Sequence, residues 1–398
     1  MPFAVWQNGL VPPGLREAVA ARERDLLGRR RHFHAEPELA FQEVDTARVI
    51  ADHLRDFGLE VTTGVARTGV VGTLSGERPG KSVLVRADMD GLPIEERSGL
   101  AYSSIRPGVM QACGHDVHLA IALTLAHLLA ERRQDLAGRV RFAFQPAEEV
   151  AGGASAMIEA GVLEGIDRVL GLHVWAGLKT GQVAVRPGPM WASADLFSLT
   201  ITGKGGHGAM PHLTVDAVVI AAQVITALQT LVSRETAPTE PAVLTLGSVH
   251  GGSAPNVVAG EVAIQGTLRA FSAGLRERLL RRTAELAQGV ASAMGGGAVF
   301  SHLAGAPAVV NDAGMADLVA AAARDVVGAG NVTPFEPLMA GEDFAYFLEQ
   351  RPGCFFLLGG APEDGPRVHH TADFAVDERC LAIGLEVMAA AVLRMLEA

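Results

Sequence analysis

Between Met110 and His118 the chain reads Met-Gln-Ala-Cys-Gly-His-Asp-Val-His, placing one thiol, two imidazoles and one carboxylate (Cys113, His115, Asp116 and His118) within six positions. Thiolate and neutral imidazole suit borderline-soft divalent metals, and Gly114 lets the backbone bend between the first two groups. Two ligands one residue apart make half a site. The other half must come from distant segments, which restricts the chain to folds that bring several remote strand ends together. Three further stretches meet that demand: Gln145-Pro146-Ala147-Glu148-Glu149, Gly171-Leu172-His173-Val174 and Val368-His369-His370-Thr371. Each lies at or after the end of an apolar, β-like run, at residues 140–144, 169–172 and 354–358. Strand ends are where an α/β sheet binds its ligands.

The order of elements supports such a sheet. At 398 residues the chain exceeds one ordinary core of ~100–200 residues, so two domains are expected. After the stop at Pro12-Pro13-Gly14, helices are expected over 15–34 and 43–57. Strands at 70–74 and 82–86, joined by a turn at 75–81, come before a buried helix over 119–130. Strands ending at Gln145 and His173, and another over 181–186, complete a layered, mainly parallel α/β pattern. Beyond Pro187-Gly188-Pro189 the rhythm changes. A strand (195–201), a helix (215–234), two strands (242–250 and 261–269), a helix (275–294) and a strand (298–303) spell β-α-β-β-α-β, a ferredoxin-like unit. The α/β pattern resumes after Pro307. The expected organisation is a catalytic domain over 1–189 and 304–398, with a ferredoxin-like α+β domain over 190–303 inserted into it. The run Arg29-Arg30-Arg31-His32-Phe33-His34 reads as a solvated helix end.

Charge and composition exclude several classes. The formal charge is 33 − 44 = −11, which argues against a nucleic-acid partner, since that would need a basic face. The longest apolar run, 119–130, falls short of the ~20 residues that cross a bilayer. No basic-then-apolar leader opens the sequence, and three cysteines make no disulfide framework, which together point to a reducing, cytoplasmic setting. Gly76–Ser82 imitates a phosphate loop but is one residue short and runs into a strand. Gly203–Gly208 matches a dinucleotide fingerprint but lacks the helix that should follow it.

Adjacent carboxylates at Glu148 and Glu149 suggest hydrolysis, because one can bind a metal while the other serves as general base toward a metal-activated water. With Cys113, His115, His173 and His370 there are five candidate ligands, more than the ~three protein ligands of one catalytic zinc. A dinuclear centre is therefore expected, holding two divalent ions such as zinc, manganese, cobalt or nickel. Asp88 and Asp90, at i and i+2 on a strand's C-terminal edge, stand where carboxylates orient ligand imidazoles.

Arg86-Ala-Asp-Met-Asp90, Ala112-Cys-Gly-His-Asp116, Gln145-Pro-Ala-Glu-Glu149, Gly206-His-Gly-Ala209, Gly341-Glu-Asp-Phe344 and the His369-His370 pair occur in that order over nearly the whole chain. Together they resemble the dinuclear metallo-amidohydrolases related to hippurate hydrolase, the indoleacetyl-amino-acid hydrolases and bacterial N-acyl-amino-acid deacylases. The resemblance implies cleavage of the amide of a small-molecule N-acyl amino acid and a lid domain that also makes a homodimer. It implies Cys113, His115, Glu149, His173 and His370 as metal ligands and Glu148 as the base, with Asp90 beside them. It further implies that the partner subunit's His207 stabilises the oxyanion and that Asn256, Arg269 and His212 meet the substrate. His370 is preferred to His369 because Phe374 lies four residues beyond it. Gln111, Val150, Ala259 and Ala340-Gly341 depart from the family pattern and bear on substrate choice. A carboxypeptidase or dipeptidase with the same centre is the alternative reading.

Overall fold

In a computed structural model the described residues are 14–397, and they form two compact units. Pro12 and Pro13, and the N-terminal stretch read for a leader, lie outside the described residues. One unit holds the chain up to Gly188 together with Val310–Glu336 and the chain from Asp343 onward; the other comprises Pro189–Val309 and Pro337–Glu342.

The first unit is built on an eight-stranded sheet in the order Glu60–Val65, Gly69–Ser75, Ala137–Gln145, Arg78–Asp88, Arg168–Lys179, Gly353–Ala361, Val183–Ala184 and Val332–Thr333. The four strands from Ala137–Gln145 to Gly353–Ala361 run parallel; antiparallel pairing adds Gly69–Ser75 and Glu60–Val65 on one side and Val183–Ala184 on the other, where Val332–Thr333 then pairs in parallel. The turn at 75–81 therefore closes no hairpin: Ala137–Gln145 lies between the two strands it joins. Buried on both faces, the central strands read as continuous apolar runs, which explains why they were legible. Alternation sorts their side chains. Val83, Val85, Leu172, Val174, Phe356 and Leu358 enter the main core with the helices His115–Ala130 and Cys380–Glu397, whereas Arg86 and His173 fall at the alternate positions.

The helix His115–Ala130 is almost wholly buried, and it begins at the ligand stretch, so His115, Asp116 and His118 occupy its first turns. Gly114 precedes it at φ 96°. A Cβ there would lie 2.4 Å from Val174 Cγ1, so glycine is required both by conformation and by space.

The N-terminal helix departs from expectation: it is two helices, Leu15–Ala20 and Glu23–Ala35, and the arginine-rich run is not solvated at its key positions. Leu26, Arg30 and Phe33, at i, i+4 and i+7, share the inward face with His34. Arg30 Nε lies 2.8 Å from Asp116 Oδ2 and its Nη1 bonds Tyr102 and Glu378, while His34 places Nδ1 2.8 Å from Asp116 Oδ2 and Nε2 3.1 Å from Glu96 Oε1. The physical reason is Asp116: a carboxylate buried in the first turn of the helix His115–Ala130 requires a counter-charge, and Arg30 and His34 supply it.

The second unit holds an antiparallel four-stranded sheet in the order Ala242–Gly251, Glu261–Ala270, Ala194–Thr202 and Gly297–Ala306. Helices Ala217–Ser233 and Ala273–Ala293 pack on it through Phe197, Leu199, Ile264, Val224, Leu228 and Leu279, giving the β-α-β-β-α-β order. Asp216 and Ser272 cap the two helices. The buried Asp195 carboxylate takes a bidentate pair from Arg276 at 2.8 Å on each side. The glycines at 203–208 serve close backbone approach: Gly206–His207 pairs with Val257–Val258, and the next α-helix begins only at Ala217. Among the described residues no helix is long and apolar enough to cross a membrane.

The Arg30–Asp116–His34–Glu96 network gives the fold a signature in acid. Burial opposes ionisation of both carboxyls, but His34, Ser104 and Ser98 hold Glu96 down to about 2, and Arg30 and His34 hold Asp116 to about 2. Both values lie below those of the unfolded chain, so the stability they contribute is complete above about pH 4.5 and lost as pH falls toward about 2. The urea midpoint of Glu96→Gln should fall less than that of the parent chain between about pH 5 and about pH 3; parallel decline would show that Glu96 carries none of the acid limb.

Candidate metal centre

Arg86 organises the sheet end from which the site is built. Its side chain is wholly buried; Nη1 donates to Asp88 Oδ2 at 2.7 Å, Nε to Gln145 Oε1 at 2.9 Å and Nη2 to Asp343 Oδ1 at 3.0 Å. Gln145 Nε2 donates to both Asp343 oxygens, at 2.7 and 2.9 Å, and the Ala154 amide donates to Oδ2 at 3.0 Å. One guanidinium thus joins three of the motifs, and its charge-assisted bonds satisfy the two carboxylates it touches. Against the penalty of burial, Arg86, His115 and His118 hold the Asp88 carboxyl well below its usual range.

The rings of His115, His173 and His118 are fixed by hydrogen bonds. His115 Nδ1 donates to the Asp90 carbonyl at 2.8 Å and His173 Nδ1 to the Val174 carbonyl at 2.6 Å, so each turns Nε2 toward the site. His173 Nε2 lies 3.3 Å from Cys113 Sγ. Burial, aided by His118 and His369, holds the His173 imidazole well below its ordinary pKa and therefore neutral. His118 has both nitrogens engaged: Nδ1 donates to Asp88 Oδ1 at 2.5 Å and Nε2 accepts the Val174 amide at 2.9 Å, which makes it scaffold.

Glu148 and Glu149 stand side by side because their backbone amides, at 3.1 Å each, donate to the two oxygens of Asp90. Among the trios of ligand atoms that lie within 4.8 Å of one another are Cys113, His115 and His173; Cys113, Glu149 and His370; and His115, Glu148 and Glu149. The first two share Cys113. Of the last pair of histidines, it is His370 that reaches Glu149, with Nε2 3.4 Å from Oε1. His369 instead stacks on Trp175 at 4.6 Å and accepts the Ala176 amide at 3.1 Å.

These donors fit divalent ions on two observations. His115 Nε2 and Glu149 Oε1 are buried and make no hydrogen bond among the described residues. Around His115 Nε2 stand Asp88 Oδ2 at 3.4 Å, Glu149 Oε1 at 3.9 Å and Glu148 Oε2 at 4.0 Å. Burial alone would lower the pKa of this imidazole, yet Asp88, Asp90 and Glu149 push it up to about 10. The surroundings demand positive charge at that point. One thiol, three imidazoles and carboxylate oxygen form the donor set of zinc and its transition-metal neighbours.

The remaining expected residues belong to the second unit. His207 lies exposed on the short strand Gly206–His207, with Nδ1 accepting the Ala209 amide at 3.1 Å. His212 lies in the 3-10 turn Pro211–Leu213, and the Asn256 carbonyl accepts the Gly208 amide at 2.8 Å. Arg269, on Glu261–Ala270, places Nη1 beside Gly341, 3.4 Å from where a Cβ would stand.

Sequence reading missed Arg30, His34 and Glu43 as supports of this site. The first two carried a signal, since they fall on the apolar stripe of their helix; Glu43 carried none. Replacing His370 with alanine should weaken divalent-metal affinity by at least about tenfold, while His369→Ala should stay within about threefold of the parent chain. Competition with a chromophoric chelator measures both, and the reverse ranking would assign the ligand to His369.

Comparison with known proteins gives the lineage. The model of Peptidase family M20/M25/M40 matches residues 84–394. The N-acetyl-L-cysteine deacetylase of Bacillus subtilis (strain 168) is 40% identical over 365 residues, 91% of this chain and 86% of that protein. The N-acyl-L-amino acid amidohydrolase of Geobacillus stearothermophilus is 44% identical over 298 residues, 75% of this chain and 80% of that protein. Among solved structures, the Bacillus subtilis YXEP protein, described as a dinuclear metal binding peptidase from the M20 family, matches with a TM-score of 0.81 at 33% identity, covering 95% of this chain and 99% of that one. The family match takes in every residue from Arg86 to His370 that builds the centre, and on it the chain belongs to Peptidase family M20/M25/M40.

Proposed function

We propose that the chain hydrolyses the amide bond of N-acyl amino acids at a centre for two divalent ions held by Cys113, His115, Glu149, His173 and His370, with Glu148 as general base. The observation that carries this reading is the convergence of those ligand atoms beside a second carboxylate, Glu148, whose amide hangs from the same Asp90 as that of Glu149. Relatives named as a deacetylase and an amidohydrolase of acyl amino acids support the substrate class. When bound, divalent ions supply Lewis acidity, polarising a carbonyl and acidifying water. The chain's own residues do the rest. His115 and His173 present Nε2 in fixed tautomers, Asp90 aligns the two glutamates, and Glu148 takes the proton of the attacking water and delivers it to the leaving amine.

The finer assignments rest on the family resemblance. The second unit is proposed as a lid and homodimerisation module, with the partner subunit's His207 stabilising the oxyanion and Asn256, His212 and Arg269 receiving the substrate, the arginine fork meeting its carboxylate. Zinc, manganese, cobalt and nickel are the candidate ions, and a cytoplasmic setting accords with the buried cysteines Cys113, Cys354 and Cys380, which form no disulfide. The peptidase description of the YXEP protein favours a second reading, a carboxypeptidase or dipeptidase, and faster turnover of peptides than of acetyl or benzoyl conjugates would select it.

Chelation should abolish hydrolysis of N-acyl amino acids, and added divalent metal should restore it; full activity in metal-free protein would end the proposal. Glu148→Ala should retain metal while losing about 10²–10⁴-fold in kcat, and Glu149→Ala should lose metal. Equal metal loss in both variants would mean that Glu148 is itself a ligand.

A further inference from the structure

Three successive amides of the turn that carries both glutamates donate to buried carboxylates. Asp90 takes those of Glu148 and Glu149. The third, from Ala147, donates at 2.9 Å to Oε1 of Glu43, a residue 104 positions away in the chain. Glu43 is wholly buried; its Oε1 also accepts the Phe41 amide at 3.0 Å, and its Oε2 accepts the Thr68 hydroxyl at 2.5 Å.

The turn needs such an anchor. Ala147 and Ala151, on either side of Glu148 and Glu149, have φ of 54° and 52°, in the left-handed region that favours glycine. The Ala151 amide closes onto the Glu148 carbonyl at 2.7 Å and the Gly152 amide onto the Ala147 carbonyl at 3.2 Å, so the loop is tight. An alanine persists in that region only where its surroundings over-determine it. Released from Glu43, Ala147 would relax toward ordinary backbone angles, and the direction in which the next two side chains leave the chain would turn with it.

We infer that Glu43 is a positioning residue for Glu148 and Glu149, holding the left-handed backbone at Ala147 from which both project. The inference rests on the reading of Glu148 as base and Glu149 as ligand. Burial pushes the Glu43 carboxyl above its ordinary pKa, the direction that makes a neutral amide a fair replacement. Glutamine keeps an acceptor for the two amides and brings a donor for the Thr68 oxygen.

The test compares Glu43→Ala, Glu43→Gln and Glu43→Ala combined with Ala147→Gly in the full chain, each measured for kcat, KM, melting temperature and zinc affinity against a chelator. Glu43→Ala should lose at least about tenfold in kcat with KM within about threefold, and should bind zinc about tenfold more weakly. Glu43→Gln should stay within about threefold in all three quantities. Adding Ala147→Gly should recover several-fold of the loss, because glycine adopts positive φ without strain. Unchanged kcat and zinc affinity in Glu43→Ala would overturn the inference. So would an equal loss in Glu43→Gln with no recovery from glycine at 147, which would make Glu43 a packing group. Should Glu43→Ala fail to fold, Glu43→Asp, one carbon short of the amides, replaces it with the same expected losses. If the parent chain hydrolyses no acyl amino acid, the proposed function fails by itself while the zinc measurements still decide the role of Glu43.

Discussion

A guanidinium with no access to water is the interaction on which the site depends. Removing an ion from water costs several kcal/mol even after relaxation, and such a group persists only where fixed partners answer each of its donors. Arg86 has them in Asp88, Gln145 and Asp343, drawn from three strand ends and loops far apart in sequence. The consequence spreads outward. Asp88, held ionised, fixes His118; His118 in turn accepts the amide of Val174, next to His173. The sheet and the first turns of the helix His115–Ala130 are thereby locked in one register, and two of the proposed ligand imidazoles, those of His115 and His173, are carried on them.

A second buried arginine repeats the device behind the helix. Arg30 and His34 answer Asp116, whose neighbours on the helix are His115 and Val117. The two balanced ion networks flank a region that is not balanced. Around His115 Nε2 the carboxylates outnumber the cations, and the imidazole responds by holding a proton far above its usual range. A site whose scaffold is electrically balanced and whose centre is not is arranged to receive cations. Neutral His173 beside the thiol of Cys113 adds the soft donors that set transition metals apart from calcium or magnesium.

Much of this was legible in the residues alone because it followed from local rules. The central strands advertised themselves as apolar runs, the ligands sat at their ends, and the β-α-β-β-α-β order emerged from strand and helix periodicity alone. What stayed hidden was set by tertiary context. Arg30 and His34 read as surface because a helix rich in arginine normally is, although their spacing from Leu26 and Phe33 places them on the inner stripe. The turn at 75–81 resembles a hairpin, and only the insertion of Ala137–Gln145 between its strands excludes one. Nothing about Ala147 or Ala151 announces positive φ, since alanine has no preference for it; the carboxylates that impose it at Ala147 and align the residues that follow come from residues 43 and 90.

Five side chains drawn from four separate stretches of sequence are proposed to surround a pair of cations. Anomalous diffraction from crystals grown with zinc, recorded on both sides of the absorption edge, tests this arrangement most directly. Two peaks among Cys113 Sγ, the imidazole nitrogens of His115, His173 and His370, and the Glu149 carboxylate are expected, at coordination distances of about 2.0–2.3 Å. A single peak, or zinc bound away from these atoms, would contradict it.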